Sequence, residues 1–235
     1  MTTLATDIFV RWESSHWCAL GVVALACGVL LLSGYLYRNQ RHRICRILAG
    51  IIAVEFVWEH IRNAICMPHE EWMQNLPLHF CSAMGVVSFI ALWKEKRWAC
   101  AFAYFGVLSA SVQALITPAL HADFPNIRYF IFFTSHGLLL LAALAIPFIL
   151  KWRARPKDII RTLLIADAYI LCIIPINLLL GTNYGFTQHG PEGGSLLDML
   201  GPGPWYYLYL QIPALLLFAL MYLPVRTKTQ HAEKA

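Results

Sequence analysis

Charge is what this sequence has least of. Only 13% of its 235 residues are Asp, Glu, Lys or Arg, against 59% hydrophobic, and the mean hydropathy is +0.58. That leaves too little polar surface to coat a soluble globule, so the composition is that of an integral membrane protein. A basic patch interleaved with aromatics on a soluble face is also missing, which argues against nucleic acid as a partner. No HxxxH or HExxH spacing occurs, no internal repeat or low-complexity stretch stands out, and no metal or cofactor is expected. A cleavable signal peptide is not expected either, because the first apolar run is too long for an h-region and has no basic n-region before it.

What the chain does have is length without charge. Seven apolar runs, near residues 17–37, 44–65, 76–93, 98–117, 127–150, 160–181 and 204–224, approach the roughly 20 helical residues that cross about 30 Å of hydrocarbon. They predict an all-α, seven-helix transmembrane bundle over 17–224, with a short external segment 1–16 and a basic tail 225–235. Most Lys and Arg follow the first, third, fifth and seventh runs: Arg38, Arg41, Arg43 and Arg46; Lys94, Lys96 and Arg97; Lys151, Arg153, Arg155, Lys157 and Arg161; Arg226, Lys228 and Lys234. The intervening loops 66–75, 118–126 and 182–203 carry Glu70, Glu71, Asp123, Glu192 and Asp198 but no Lys or Arg. By the positive-inside rule the N-terminus is outside and the C-terminus cytoplasmic. Most of the seven Cys, among them Cys18, Cys27, Cys45, Cys100 and Cys172, fall inside these runs, where a thiol usually packs as a small hydrophobe and says little about redox compartment.

Polar residues inside the runs concentrate towards the outer end. The second run carries Glu55, Glu59, His60 and Arg62, with Glu55, Glu59 and Arg62 on one face. The third opens with Pro77 in its expected first turn and brings in His79 and Cys81. The fourth ends with Gln113, the fifth carries His136, and the sixth ends with Asn177 ahead of Asn183 and Tyr184. Counting from the outer ends, Glu59 lies roughly 9 Å deep, Cys81 roughly 8 Å and His136 roughly 13 Å. Residues 182–203, rich in Gly and Pro, predict a lid-like loop with a short interfacial helix capped by Ser195.

Ionisable groups in lipid are costly and functional by default. Cys81 near a helix N-terminus, with His136 as base and Glu59 or Glu55 orienting the imidazole, makes a nucleophile of the cysteine-histidine type. Gln113, Asn183, Tyr184 and first-turn amides are candidate oxyanion donors. His79, two residues from Cys81, points roughly 200° away from it, and with Gln113, Asn183, Tyr184 and Trp205 it completes the candidate substrate-binding set. Each residue also has a plainer explanation: Glu59 with Arg62 as an internal ion pair, Gln113 and Asn177 as interhelical hydrogen bonds, and Trp205, Tyr206 and Tyr207 as an interfacial aromatic belt. The depth suits acyl transfer from a phospholipid through a thioester. Two alternatives stand beside it: a zinc hydrolase using His60, His79 and His136 with a carboxylate, and a transporter or receptor with an outer polar cavity.

The segments Leu76-Pro77-Leu78-His79-Phe80-Cys81, Ser111-Val112-Gln113-Ala114-Leu115-Ile116-Thr117-Pro118, Ser135-His136-Gly137, Gly181-Thr182-Asn183-Tyr184 and Leu197-Asp198-Met199-Leu200-Gly201-Pro202-Gly203-Pro204-Trp205-Tyr206 occur in order along the chain. In these it resembles the bacterial YwaF membrane-protein family, which is similar to vertebrate transmembrane protein 164. That resemblance implies a CoA-independent acyltransferase acting on phospholipid and lysophospholipid, with Cys81 and His136 as its Cys and His. It also implies residence in the bacterial inner membrane. Gly203 stands where an aromatic is expected between Pro202 and Pro204, a departure expected to loosen the loop.

Overall fold

Each of the seven apolar runs is a helix in the structure, a computed structural model that describes residues 8–191 and 196–227, without the side chains of 196 and 198. Glu192, the cap expected at Ser195 and the tail residues Lys228 and Lys234 lie outside the described residues. The helices are α1 (Ser14–Leu36), α2 (Arg41–Cys66), α3 (His69–Gln74), α4 (Phe80–Lys94), α5 (Arg97–Ile116), α6 (Ile127–Phe148), α7 (Pro156–Leu180) and α8 (Tyr206–Tyr222). Five of them, α1, α5, α6, α7 and α8, are long and apolar enough to cross a membrane. α4 is apolar but has 15 residues. α2 has 26 residues, among them Arg41, Arg43, Arg46, Glu55, Glu59 and Arg62.

α5 is the axis of the bundle. It packs on α4, α6, α7 and α8; α6 in turn carries α1 and α2, and α4 lies against both α2 and α6. Small residues allow this: Ala99, Ala101, Ala103 and Gly106 are buried and let neighbouring backbones approach. A Cβ at Gly106 would meet Met84 Sδ of α4 at 3.1 Å. The outer helices instead turn large apolar side chains outward, as Leu25, Leu171 and Leu216 do, because lipid rather than water is their solvent.

Local chemistry explains the helix ends. Asn126 caps α6 by accepting the Arg128 amide at 2.9 Å. Pro156 occupies the first position of α7, and Asp158 Oδ2 accepts the Arg155 amide at 2.8 Å while pairing with Arg97. α7 stops at Gly181, whose φ of 64° is left-handed. The segment before α1 is tied down by His16, buried in an apolar cluster, whose Nε2 bonds the Leu115 carbonyl at 2.8 Å.

Two expectations need correcting. Residues 66–75 are not a plain loop but contain α3, and α4 begins at Phe80 rather than 76, so Pro77 precedes the helix and His79 is its N-cap residue. Gly203 does not loosen its loop: a Cβ there would lie 2.7 Å from the Thr187 and Gln188 carbonyl oxygens, so the backbone is pressed flat against the preceding strand of chain.

Candidate functional site

Between α3 and α4 the backbone leaves the helical ladder, and within a membrane bundle such a stretch must find hydrogen-bond partners inside the protein. Three carbonyls find side chains. Met73 O accepts from the Tyr184 hydroxyl, Gln74 O from His79 Nε2–H at 2.9 Å, and Leu78 O from the Tyr169 hydroxyl at 2.6 Å. The His79 ring meets Tyr184 edge-on at 5.2 Å and lies 6.1 Å from Phe186, so the 182–189 loop closes over the start of α4.

Asn177, fully buried near the end of α7, holds that loop. Its Nδ2 donates to Tyr184 O at 2.8 Å and Thr187 Oγ1 at 2.7 Å, while its Oδ1 accepts from Thr182 Oγ1 at 2.9 Å and the Tyr184 amide at 2.8 Å. Every donor and acceptor of the carboxamide is used. Asn177→Leu keeps the volume but strands these partners, at about 1–3 kcal/mol for each buried group left unmade. The expected result is a lower melting temperature in detergent together with faster proteolysis within 182–203, both read against wild type.

Met84 of α4 and Leu139 of α6 are buried in one cluster with Phe102 and Val107 of α5, and both α4 and α6 pack along α5. His136, Leu139 and Ala143 share one stripe of α6, and Cys81 packs against the cluster that Leu139 and Ala143 belong to.

Cys81 is half-buried, and no side chain caps the helix turn that carries it. Glu59 of α2 and Tyr169 of α7 stand within electrostatic reach of its thiol, and Tyr169 also meets Phe80 edge-on at 5.3 Å. His136 is 8% exposed. Its Nδ1 lies 2.9 Å from the Phe132 carbonyl, and its ring stacks on Phe132 at 4.3 Å. A carbonyl only accepts, so Nδ1 carries the proton and Nε2 is left with its lone pair, without a hydrogen-bond partner among the described residues. Phe132 O thus occupies the ring nitrogen expected to meet Glu59 or Glu55. No hydrogen bond joins Cys81 to His136 among the described residues.

The other expected residues divide clearly. Asn183 Nδ2 donates to His189 O at 2.9 Å and its Oδ1 accepts the Gln188 amide at 2.9 Å, so Asn183, like Tyr184, is committed to the loop. Gln113 is exposed near the end of α5, and Trp205 is 62% exposed just before α8. Arg62 Nη1 donates to Asn63 Oδ1 at 2.8 Å, and no ion pair to Glu59 is formed among the described residues. His60 Nδ1 bonds the Phe56 carbonyl at 2.7 Å, and no three His, Cys, Asp or Glu among the described residues converge as the zinc alternative requires. Glu55 leaves Oε1 buried without a partner beside a groove of about 570 Å³ between α2 and α6, floored by Gly50 and lined by Ile51, Val54, Trp58 and Leu138.

Two polar residues of α7 were missed from the sequence. Tyr169 stands beside Cys81, and Asp167 Oδ1 accepts from Gln211 Nε2 of α8 at 2.7 Å. A carboxylate and a phenol two residues apart in an apolar run were the signal.

A short helix bearing Cys81 with no side-chain cap, packed among long apolar helices, defines the class: an all-helical integral membrane protein. More narrowly, the sequence matches the TMEM164 family over residues 11–222, and the chain belongs to that family. No curated protein and no solved structure matches it.

Proposed function

We propose that the protein is an intramembrane acyltransferase that moves a fatty acyl chain between phospholipids through a thioester on Cys81. One observation supports this reading: Cys81 packs against the cluster that holds Leu139 and Ala143, which lie on the same stripe of α6 as His136, and His136 Nε2 has no hydrogen-bond partner among the described residues. In this scheme α2 and α4 also span the membrane, giving seven spans, with the basic end cytoplasmic and the site in the outer half of a bacterial inner membrane.

The chemistry balances with these groups alone. His136 Nε2 takes the proton as the Cys81 sulfur attacks the ester carbonyl of a phospholipid. The amides of Phe80, Cys81 and Ser82 at the head of α4, aided by the helix dipole, receive the oxyanion. Collapse breaks the ester C–O bond, His136 returns its proton to the leaving lysophospholipid alkoxide, and the acyl group remains on sulfur. A second lysophospholipid hydroxyl then attacks the thioester, again through His136, and the thiol is regenerated. Glu59 and Tyr169 flank the thiol; Tyr169 fixes the Leu78 carbonyl and with it the register of the first turn. The closed 182–189 loop keeps water away, which favours transfer over hydrolysis. The groove between α2 and α6 opens to lipid and suits a fatty chain.

The test is direct. Purified protein in liposomes containing one defined phospholipid and an isotope-labelled lysophospholipid should generate a new labelled diacyl species without added CoA. Movement of a small solute across the same liposomes, with no new lipid species, would instead establish the transporter alternative.

A further inference from the structure

We propose a second lipid site, at the basic end of the bundle, that holds the headgroup of an anionic phospholipid between Arg153 and Arg226. A cavity of about 590 Å³ is lined there by Arg153, Leu223, Pro224 and Arg226. Two guanidinium groups beside two apolar residues make an amphipathic surface, which matches a phosphodiester with its first chain carbons.

The cavity has a built frame. After α8 the chain turns through Leu223–Val225 and pairs with the α6–α7 connection: the Ala154 amide donates to Val225 O at 2.8 Å and the Thr227 amide to Ala154 O at 3.0 Å. That pairing fixes Arg226 next to Arg153. Arg97 Nη2 donates to Arg153 O at 3.1 Å, which anchors the other side. Arg153 spends only Nη1, on Pro147 O and Trp152 O, both at 3.2 Å, so its remaining N–H groups are free to meet a phosphate. The Arg226 side chain makes no hydrogen bond among the described residues.

Charge selects the occupant. Asp158, at the start of α7, is buried and occupied by Arg97 and the Arg155 amide, so it does not neutralise the cavity. Lys151, Arg155, Lys157 and Arg161 crowd the same end. A choline or ethanolamine cation would be repelled there, whereas a headgroup with net negative charge is attracted. The membrane leaflet at this end is the source, since Leu223 is exposed at the mouth.

Full-length protein in detergent is titrated with phosphatidylglycerol, with phosphatidylcholine of identical chains, and with glycerol 3-phosphate, bound lipid being counted by native mass spectrometry. Wild type should retain phosphatidylglycerol in preference to phosphatidylcholine, and glycerol 3-phosphate should not displace it. Arg226→Gln should weaken retention about fivefold and Arg153→Gln/Arg226→Gln about 20-fold or more, while Arg161→Gln, outside the cavity, retains it. Because the Arg226 side chain makes no hydrogen bond among the described residues, its single variant separates lost binding from lost folding. Undiminished retention in the double variant overturns the proposal, as does an equal loss in Arg161→Gln. Displacement by glycerol 3-phosphate at the affinity of the lipid would mark a site for free phosphate esters and overturn it too.

Discussion

Replacing Cys81 with Ala is expected to abolish acyl transfer, lowering turnover by at least about 10³-fold, since the proposed thioester forms on its sulfur. Covalent capture by an acyl-mimicking thiol probe should vanish in the same variant. Cys45 and Cys100 provide the internal control. Both are buried in one apolar cluster with Ala91, Leu92 and Ile146, so Cys45→Ala and Cys100→Ala should leave turnover and probe capture near wild type. Cys81→Ser tests the chemistry more finely. It preserves shape but supplies a hydroxyl, a far weaker nucleophile beside a neutral imidazole, so turnover should fall almost as far as in the Ala variant. Turnover within tenfold of wild type in Cys81→Ala would sink the nucleophile assignment, whatever the fold.

The helices were readable in the sequence because lipid demands long apolar segments, and a one-dimensional property records them. The late start of α4 was not. It depends on the Tyr184 hydroxyl reaching Met73 O and the Tyr169 hydroxyl reaching Leu78 O, contacts made across 111 and 91 residues. Without them Leu76, Pro77 and Leu78 read as the first turn of an apolar helix, which put His79 inside a helix whose N-cap position it occupies. Asn183 and Tyr184 carried the right polarity for oxyanion donors, yet their groups are consumed within the loop and on α3. Of the donors expected from the sequence, the backbone amides of the first α4 turn are the ones the proposed chemistry uses.

The same contacts tie the loop to the chemistry. Asn177 saturates the 182–189 loop, the loop covers His79, and His79 with Tyr169 sets where α4 starts. In the proposed mechanism, lipid enters from the side of the bundle while this loop keeps the upper face closed. Gly185 reports how tight this is: its φ is 62°, and a Cβ there would sit 3.1 Å from the Tyr169 hydroxyl oxygen.

His136→Asn is the second large effect expected. The Asn side chain is shorter than imidazole but retains an N–H donor for the Phe132 carbonyl, so the packing of α6 is largely kept while the lone pair of Nε2 is lost. General-base assistance is worth about 10²–10⁴-fold, and turnover should fall by that factor in transfer from phospholipid. Lipid binding, measured by retention of substrate on a Cys81→Ala background with and without His136→Asn, should change little, because the imidazole acts on the proton and not on the chain. The thiol remains, so a small uncharged alkylating reagent should still modify Cys81 in His136→Asn, but only at higher pH than in wild type. The sign follows from the mechanism: removing the base removes the partner that accepts the thiol proton, and hydroxide must replace it. A His136→Asn protein that labels with the wild-type pH profile and transfers acyl groups at the wild-type rate would leave the imidazole a purely structural role between α6 and its neighbours.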